Sequence, residues 1–175
     1  MAVLRSLRSI HERSSAAAVE AMKTKAAIQI ESPRAAGVPE LICALDGYLN
    51  SLYPPTSNHF LDLDQLSQPD IRLFVARREG APLACGALRI ASGYGEVKRM
   101  YVAPAARGEG LGRAILARIE SEAQREGLRV MRLETGNRQI EALALYRSAG
   151  YVDCGPFGEY GADPISRFME KRLQP

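Results

Sequence analysis

Gly108, Gly110 and Gly112 stand at alternate positions in the stretch VAPAARGEGLGRAI, residues 102–115, with Arg107 and Arg113 on either side. Such a run strips side chains from one edge of a loop, so its backbone N–H groups can turn toward a common point and a bulky anion can come close. The residues before the loop are extended in character, and Leu111, Ile115 and Ile119 recur at helical spacing. The loop is therefore predicted to join a strand to a helix N-terminus, where the backbone dipole favours negative charge. The helix is expected from about Glu109, whose side chain must then point outward. Arg107 and Arg113 could each pair bidentately with a phosphate, Arg113 being favoured, although both also read as solvated helix-end residues. A dinucleotide fingerprint is excluded because Arg113 occupies the place of the third glycine, and a Walker loop because no Gly-Lys-Ser/Thr follows.

A second pattern lies downstream: Gln139, Ala142, Leu145 and Tyr146, then Gly150-Tyr151. With the loop from Arg107 to Gly112 it resembles the GCN5-related N-acetyltransferase (GNAT) superfamily. There a Gln/Arg-x-x-Gly-x-Gly/Ala loop holds the pyrophosphate of acetyl-coenzyme A, and a helix reading Asn-x-x-Ala-x-x-Leu-Tyr follows the next strand. Gln139 replaces the asparagine here, keeping an amide. The resemblance covers residues 28–173 and is strongest over residues 96–151. A looser similarity, through residues 96–102 and 133–136, links the chain to a bacterial branch labelled indole-3-acetic-acid acetyltransferase-like.

The resemblance implies an α/β (α+β) GNAT fold: a mixed, mostly antiparallel sheet of six to seven strands, flanking helices and a central β-loop-α-β unit for acetyl-CoA. It implies coenzyme contacts from Val102, Arg107, Gly108, Glu109, Gly110, Leu111, Gly112, Arg113, Gln139 and Tyr146, and no metal. Acyl transfer from a thioester to an amine needs a neutral nucleophile, a stabilised oxyanion and a proton for the leaving thiolate. The resemblance assigns the oxyanion to the backbone N–H of Val102, freed by a strand bulge, the acid to Tyr146, and the base to Glu96, six residues before Val102. Core packing is the alternative for Tyr146, and a solvated position after the Gly95 turn the alternative for Glu96. Partial burial would raise a carboxylate pKa and Lys98 would oppose that.

Tyr48, Tyr53, Asn58, His59, Phe157 and Tyr160 fall in the two segments that wall the acceptor side in that superfamily; Tyr53 and His59, with Lys98 and Arg99, are the expected substrate contacts. Strand alternation requires one of Lys98 and Arg99 to share the face of Glu96 and the other to oppose it, unless a bulge resets the pattern. A cation at the entrance suits an acceptor amine that also carries a carboxylate, such as an amino acid. The expected reaction is N-acetylation of a small-molecule primary amine. Acetylation of a protein lysine or N-terminus is the second reading, and a CoA-binding module without turnover the third.

The supporting elements are readable in outline. Residues 27–31, 71–78, 82–90, 96–102, 128–135, 151–153 and 165–171 have strand character. Pro39 opens a helix with Leu41, Ile42, Leu45, Tyr48, Leu49 and Leu52 on one face, ended by Tyr53 and Pro54. A short helical piece is expected over residues 61–66 and a helix over residues 139–149, and Gly127 and Gly150 read as helix stops. Residues 22–175 form one domain. Residues 1–21, rich in Arg and Ser, read as a separate leader.

No apolar run exceeds five residues, far short of the ~20 needed to span a bilayer. The net charge of +3, with no dense basic block, gives no support for nucleic acid. Three cysteines without a Cys-x-x-Cys and two histidines support neither a disulfide framework nor a zinc site. Buried thiols in a reducing, cytoplasmic setting are expected, with a homodimer left open.

Overall fold

Ile71, Leu73 and Val75 point to one side of their strand and Phe74 and Ala76 to the other, and both sides are buried. A strand covered on both faces belongs inside a sheet with helices on either side. The computed structural model describes residues 25–54 and 60–174. The expected leader, Asn58 and His59 lie outside the described residues. The strands are β1 (Ala27–Ile30), β2 (Ile71–Arg78), β3 (Ala81–Ala91), β4 (Tyr94–Val102), β5 (Val130–Gly136), β6 (Val152–Asp153) and β7 (Ser166–Arg172). The helices are α1 (Val38–Leu52), α2 (Leu111–Arg125) and α3 (Ile140–Ser148). One sheet of order β1-β2-β3-β4-β5-β7-β6 results, antiparallel except for β4 and β5. The expected mixed, mostly antiparallel architecture is thus the observed one.

Leu73, Val75, Cys85 and Ala87 pack against Val38, Leu41 and Ile42 of α1, while Phe74, Leu88 and Val97 pack against Ile115, Leu116 and Ile119 of α2. Helix α2 ends where Gly127 turns left-handed (φ 77°), its N–H bonding Gln124 O while Leu128 N–H reaches Ala123 O. Those two bonds satisfy carbonyls the helix would otherwise leave open. The chain then crosses back to lay β5 parallel to β4. Two expectations shift. Helix α2 begins at Leu111 rather than Glu109, because the left-handed Gly110 (φ 79°) is its cap. The piece expected over residues 61–66 is a single 3-10 turn, Gln65–Ser67, closed by reciprocal bonds between Asp62 and Gln65.

A bulge sets the geometry of β4. Ala87 pairs with Lys98 and Cys85 with Tyr101, so Gly86 alone faces both Arg99 and Met100. Arg99 takes up the extra residue with φ 57°, a conformation L-residues rarely adopt. The alternation expected to send Lys98 and Arg99 to opposite faces fails here: both line the same cavity, and Arg99 reaches Asp46 on α1. Gly86 is required for close approach, since a Cβ there would lie 2.5 Å from Met100 Sδ and 2.7 Å from Ile115 Cγ2.

Past the bulge β4 leaves its parallel neighbour. The last β4–β5 pair is Val97 with Leu133, although β4 continues to Val102 and β5 to Gly136. A wedge opens between them.

The expectation of buried thiols holds for Cys85 and is corrected for the others: Cys43 is exposed, on the solvent side of α1, and Cys154 is half-buried. Burial pushes the Cys85 thiol up to about 12, so it remains a donor, and its Sγ reaches the Arg99 carbonyl at the bulge (3.4 Å). Among the described residues no helix is long and apolar enough to cross a membrane, and no group of three His, Cys, Asp or Glu could hold a metal.

Gly86→Ala forces a methyl between the sheet and α2 and should cost about 1–3 kcal/mol. Urea unfolding should show a lower midpoint with unchanged slope; an unchanged midpoint would mean that α2 shifts freely at this contact.

Candidate active site

Two cavities meet in the wedge. A cleft of about 690 Å3, within the range usual for cofactor sites, is lined by Tyr101, Val102, Arg107, Gly108, Gly110 and neighbouring residues of α2 and α3. A smaller cavity of about 90 Å3 lies toward α1, lined among others by Tyr53, Phe60, Lys98, Arg99, Glu134 and Ser166. Leu45, Met100, Gln139 and Tyr146 line both.

In the cleft, Gly108 (φ 80°) and Gly110 are left-handed, and a Cβ at either would meet nothing within 4 Å. Their hydrogens face open space, as a seat for a bulky group requires. At Gly112 the constraint is packing, with a Cβ 3.4 Å from Leu145 Cδ2 of α3. The first N–H groups of α2 have no partner within the helix and lie at the positive end of its dipole, worth about 0.3–1 kcal/mol to an anion in an exposed setting. These residues fit a pyrophosphate. Glu109 turns out of the loop to pair with Arg78. Arg113, exposed, donates to Ser148 Oγ (2.7 Å), and Arg107 donates from Nε to Val102 O (3.3 Å).

The ladder fixes where the Val102 N–H points. Ala103 N–H donates to Leu83 O (2.8 Å), so Leu83 and Ala103 form a bonded pair. The next pair, Ala84 with Val102, is then a non-bonded one, and the Val102 N–H turns away from β3 toward the wedge. The bulge is three residues earlier than Val102, at Arg99 and Met100, and acts by parting the strands.

Tyr146 reaches the junction from the buried side of α3, 5% exposed. Burial, with a smaller push from Glu134, holds its phenol above the ordinary range, so it keeps its proton at neutral pH. Gln139 stands just before α3, makes no capping bond and lines both cavities. Leu111 forms part of the cleft and anchors α2 in the core.

Glu96, Lys98 and Tyr160 form a separate network. Tyr160 donates to Glu96 Oε1 (2.5 Å), Lys98 Nζ donates to the Tyr160 oxygen (2.5 Å), and Lys98 and Arg89 stand 3.4 and 3.8 Å from the Glu96 carboxylate. Burial and the Glu96 charge raise the Tyr160 pKa. Glu96 is 2% exposed and lines neither cavity.

Tyr53 lines the smaller cavity, and its hydroxyl accepts the Arg138 N–H (2.7 Å) while Arg138 Nη1 caps the Leu52 carbonyl (2.8 Å). The end of α1 is thereby tied to the turn between β5 and α3. Tyr48, expected on the acceptor side, instead lines the cleft with Arg107 over its ring, and Phe157 packs edge-on against Tyr94, Tyr160 and Phe168.

Two residues escaped the sequence reading, one lining the smaller cavity and one bonded to a residue that does. Glu134 lines the smaller cavity, with Ser166 Oγ donating to Oε1 (2.6 Å). Asp46 accepts from Arg99 Nη1 (2.5 Å). Both carried a signal: Glu134 lies in the segment Leu133-Glu134-Thr135-Gly136, and Asp46 interrupts the apolar stripe between Ile42 and Leu49.

The glycine loop at a helix start and the buried tyrosine at the junction fit the acetyl-CoA site that the sequence resemblance implies. The acetyltransferase (GNAT) family profile matches residues 42–151, and the chain belongs to that family. The IAA acetyltransferase of Azospirillum brasilense is 56% identical over 145 residues, covering 82% of this chain and 95% of that one. A crystal structure from Klebsiella pneumoniae, assigned to the acyl-CoA N-acyltransferases, has a TM-score of 0.76 at 36% identity, over 85% of this chain and 98% of its own. A GNAT family acetyltransferase of Elizabethkingia anophelis with acetyl-CoA bound shares the fold, with TM-score 0.63 at 18% identity over 86% and 100% of the two chains. The protein is an acetyl-CoA-dependent acetyltransferase.

Gly110→Asp keeps a residue that tolerates the left-handed conformation but puts a carboxylate where the pyrophosphate is expected. Calorimetry should show acetyl-CoA binding lost in a variant that still folds; unchanged affinity would remove the loop from the coenzyme site.

Proposed function

We propose that the protein transfers the acetyl group of acetyl-CoA directly to a primary amine of a small molecule. The observation that carries this reading is the meeting of the large cleft and the small cavity at Tyr146. A cavity of about 90 Å3 fits a compact acceptor better than a folded protein's surface loop. The similarity to an IAA acetyltransferase also favours a small acceptor.

Gly108, Gly110 and the first turn of α2 hold the pyrophosphate, with Arg107 and Arg113 at its margins and Gln139 beside the junction. Bound acetyl-CoA supplies the activated thioester. The Val102 N–H, directed into the wedge, donates to the oxygen on which charge develops, and Tyr146 gives its proton to the departing sulfur. Glu134, close enough to raise the Tyr146 pKa and lining the acceptor cavity, takes the proton from the incoming ammonium. Glu96, expected in that role, is better suited to hold Lys98 and Tyr160 in place, because Tyr160 donates to its carboxylate and Lys98 and Arg89 pair with it.

Release of CoA from acetyl-CoA, followed by mass spectrometry against primary amines and basic peptides, tests the reading; turnover confined to peptides would support protein acetylation instead. Tyr146→Phe should lower kcat on the order of 100-fold with coenzyme affinity nearly unchanged. Wild-type turnover in that variant would leave Tyr146 a packing residue. Glu134→Gln should lower kcat more than Glu96→Gln at neutral pH, and the reverse order would return the base to Glu96.

A further inference from the structure

We propose that Arg99 is the binding group for a carboxylate carried by the acceptor, so that the amine acetylated is that of an α-amino acid or a close analogue. The inference rests on reading the smaller cavity as the acceptor side. Arg99 lines that cavity with its side chain 3% exposed. Nη1 donates to Asp46 Oδ1 (2.5 Å), whereas Nε and Nη2 are buried with no hydrogen-bond partner among the described residues. Those two nitrogens form one edge of the guanidinium, and their parallel N–H groups match the two oxygens of a carboxylate. Leaving both buried and unpaired is costly, so the edge is suited to a ligand that supplies two acceptors at once.

The surroundings hold that edge in place. Asp46 fixes the opposite corner of the guanidinium, and the ring of Phe60 lies 5.3 Å from its centre. The left-handed backbone at Arg99 brings the side chain onto the face of Lys98. Lys98 is engaged with Tyr160 and Glu96, so Arg99 rather than Lys98 offers the paired donors.

The cavity carries the opposite charge as well, in Glu134 near Tyr146. With Lys98 engaged by Glu96 and Tyr160, Arg99 and Glu134 are left as a cation and an anion that complement a zwitterion: the ammonium sits by Glu134 and Tyr146, where transfer occurs, and the carboxylate by Arg99. A polyamine would set a cation against Arg99 and is disfavoured.

The test compares the proteinogenic L-amino acids with their amides as acceptors, in the wild type, Arg99→Met and Arg99→Lys, with circular dichroism to confirm folding. For wild type the acid should be preferred by about 10–100-fold in kcat/KM, mostly through KM, as expected for a paired charged contact. Arg99→Met should abolish that preference, and Arg99→Lys, which keeps the charge without the fork, should retain only part of it. Equal use of acid and amide by the wild type, or an undiminished preference in folded Arg99→Met, overturns the proposal while leaving amine acetylation intact. A binding arm stands apart from turnover. Calorimetry on the CoA-loaded protein should show N-acetyl-L-amino acids binding more tightly than their amides, with the difference lost in Arg99→Met. If no amine is acetylated, the transfer reading falls, and absence of that binding difference in the wild type then overturns the carboxylate site by itself.

Discussion

The cleft and the smaller cavity depend on β4 leaving β5 after Val97. Hydrogen-bonded strands stay about 5 Å apart and leave no room for a ligand between them. One residue too many in β4, opposite a glycine that allows α2 close to the sheet, turns the strand away from its neighbour. The space so made runs from one face of the sheet to the other. Backbone groups that would have been spent on the ladder face it, and α3 brings Tyr146 to its middle. The fold thus supplies a donor without spending a side chain on it.

Charge in and beside the smaller cavity is held by reciprocal restraint. Lone buried charges are expensive, and removing one member of a buried pair leaves the other stranded. Each ionic group here has a keeper from a different segment: Asp46 of α1 for Arg99, Ser166 of β7 for Glu134, and Tyr160 for Glu96. These pairs cross between segments far apart in sequence, so the polar lining also reports whether the segments have docked correctly. The turn after β5 is fastened to α1 in the same manner, through Arg138 and Tyr53.

The glycine loop and the tyrosine helix were legible because their signals are local. Spacing within a few residues decides a left-handed turn, a helix stop or an apolar stripe, and the parallel pairing of β4 with β5 followed from the helix between them. The bulge was not legible in position. An extra residue is defined by its partner strand, and nothing around Arg99 distinguishes a regular strand from a kinked one until Gly86 is set opposite. The same limit explains Lys98 and Arg99, whose faces were assigned by alternation that the kink suspends, and Tyr48, whose helical face is shared between core and cleft. Glu134 and Asp46 sat in readable patterns, yet their meaning lay in neighbours from distant segments. Glu96 shows the converse: its offset from Val102 drew attention, while Tyr160 and Arg89 reach its carboxylate from outside that stretch.

The two cavities share Leu45, Met100, Gln139 and Tyr146 but otherwise draw largely on different stretches of the chain. One block, the glycine loop with α2 and α3, faces the cleft; the smaller cavity takes its distinctive walls from α1, the kink in β4 and the residues entering β7. Inheritance can therefore act on the second set while the first is held constant. On the proposed reading, substitutions at Asp46, Phe60, Arg99 or Ser166 would let descendants of one ancestor diverge in what they modify while all continue to draw on the same acyl donor.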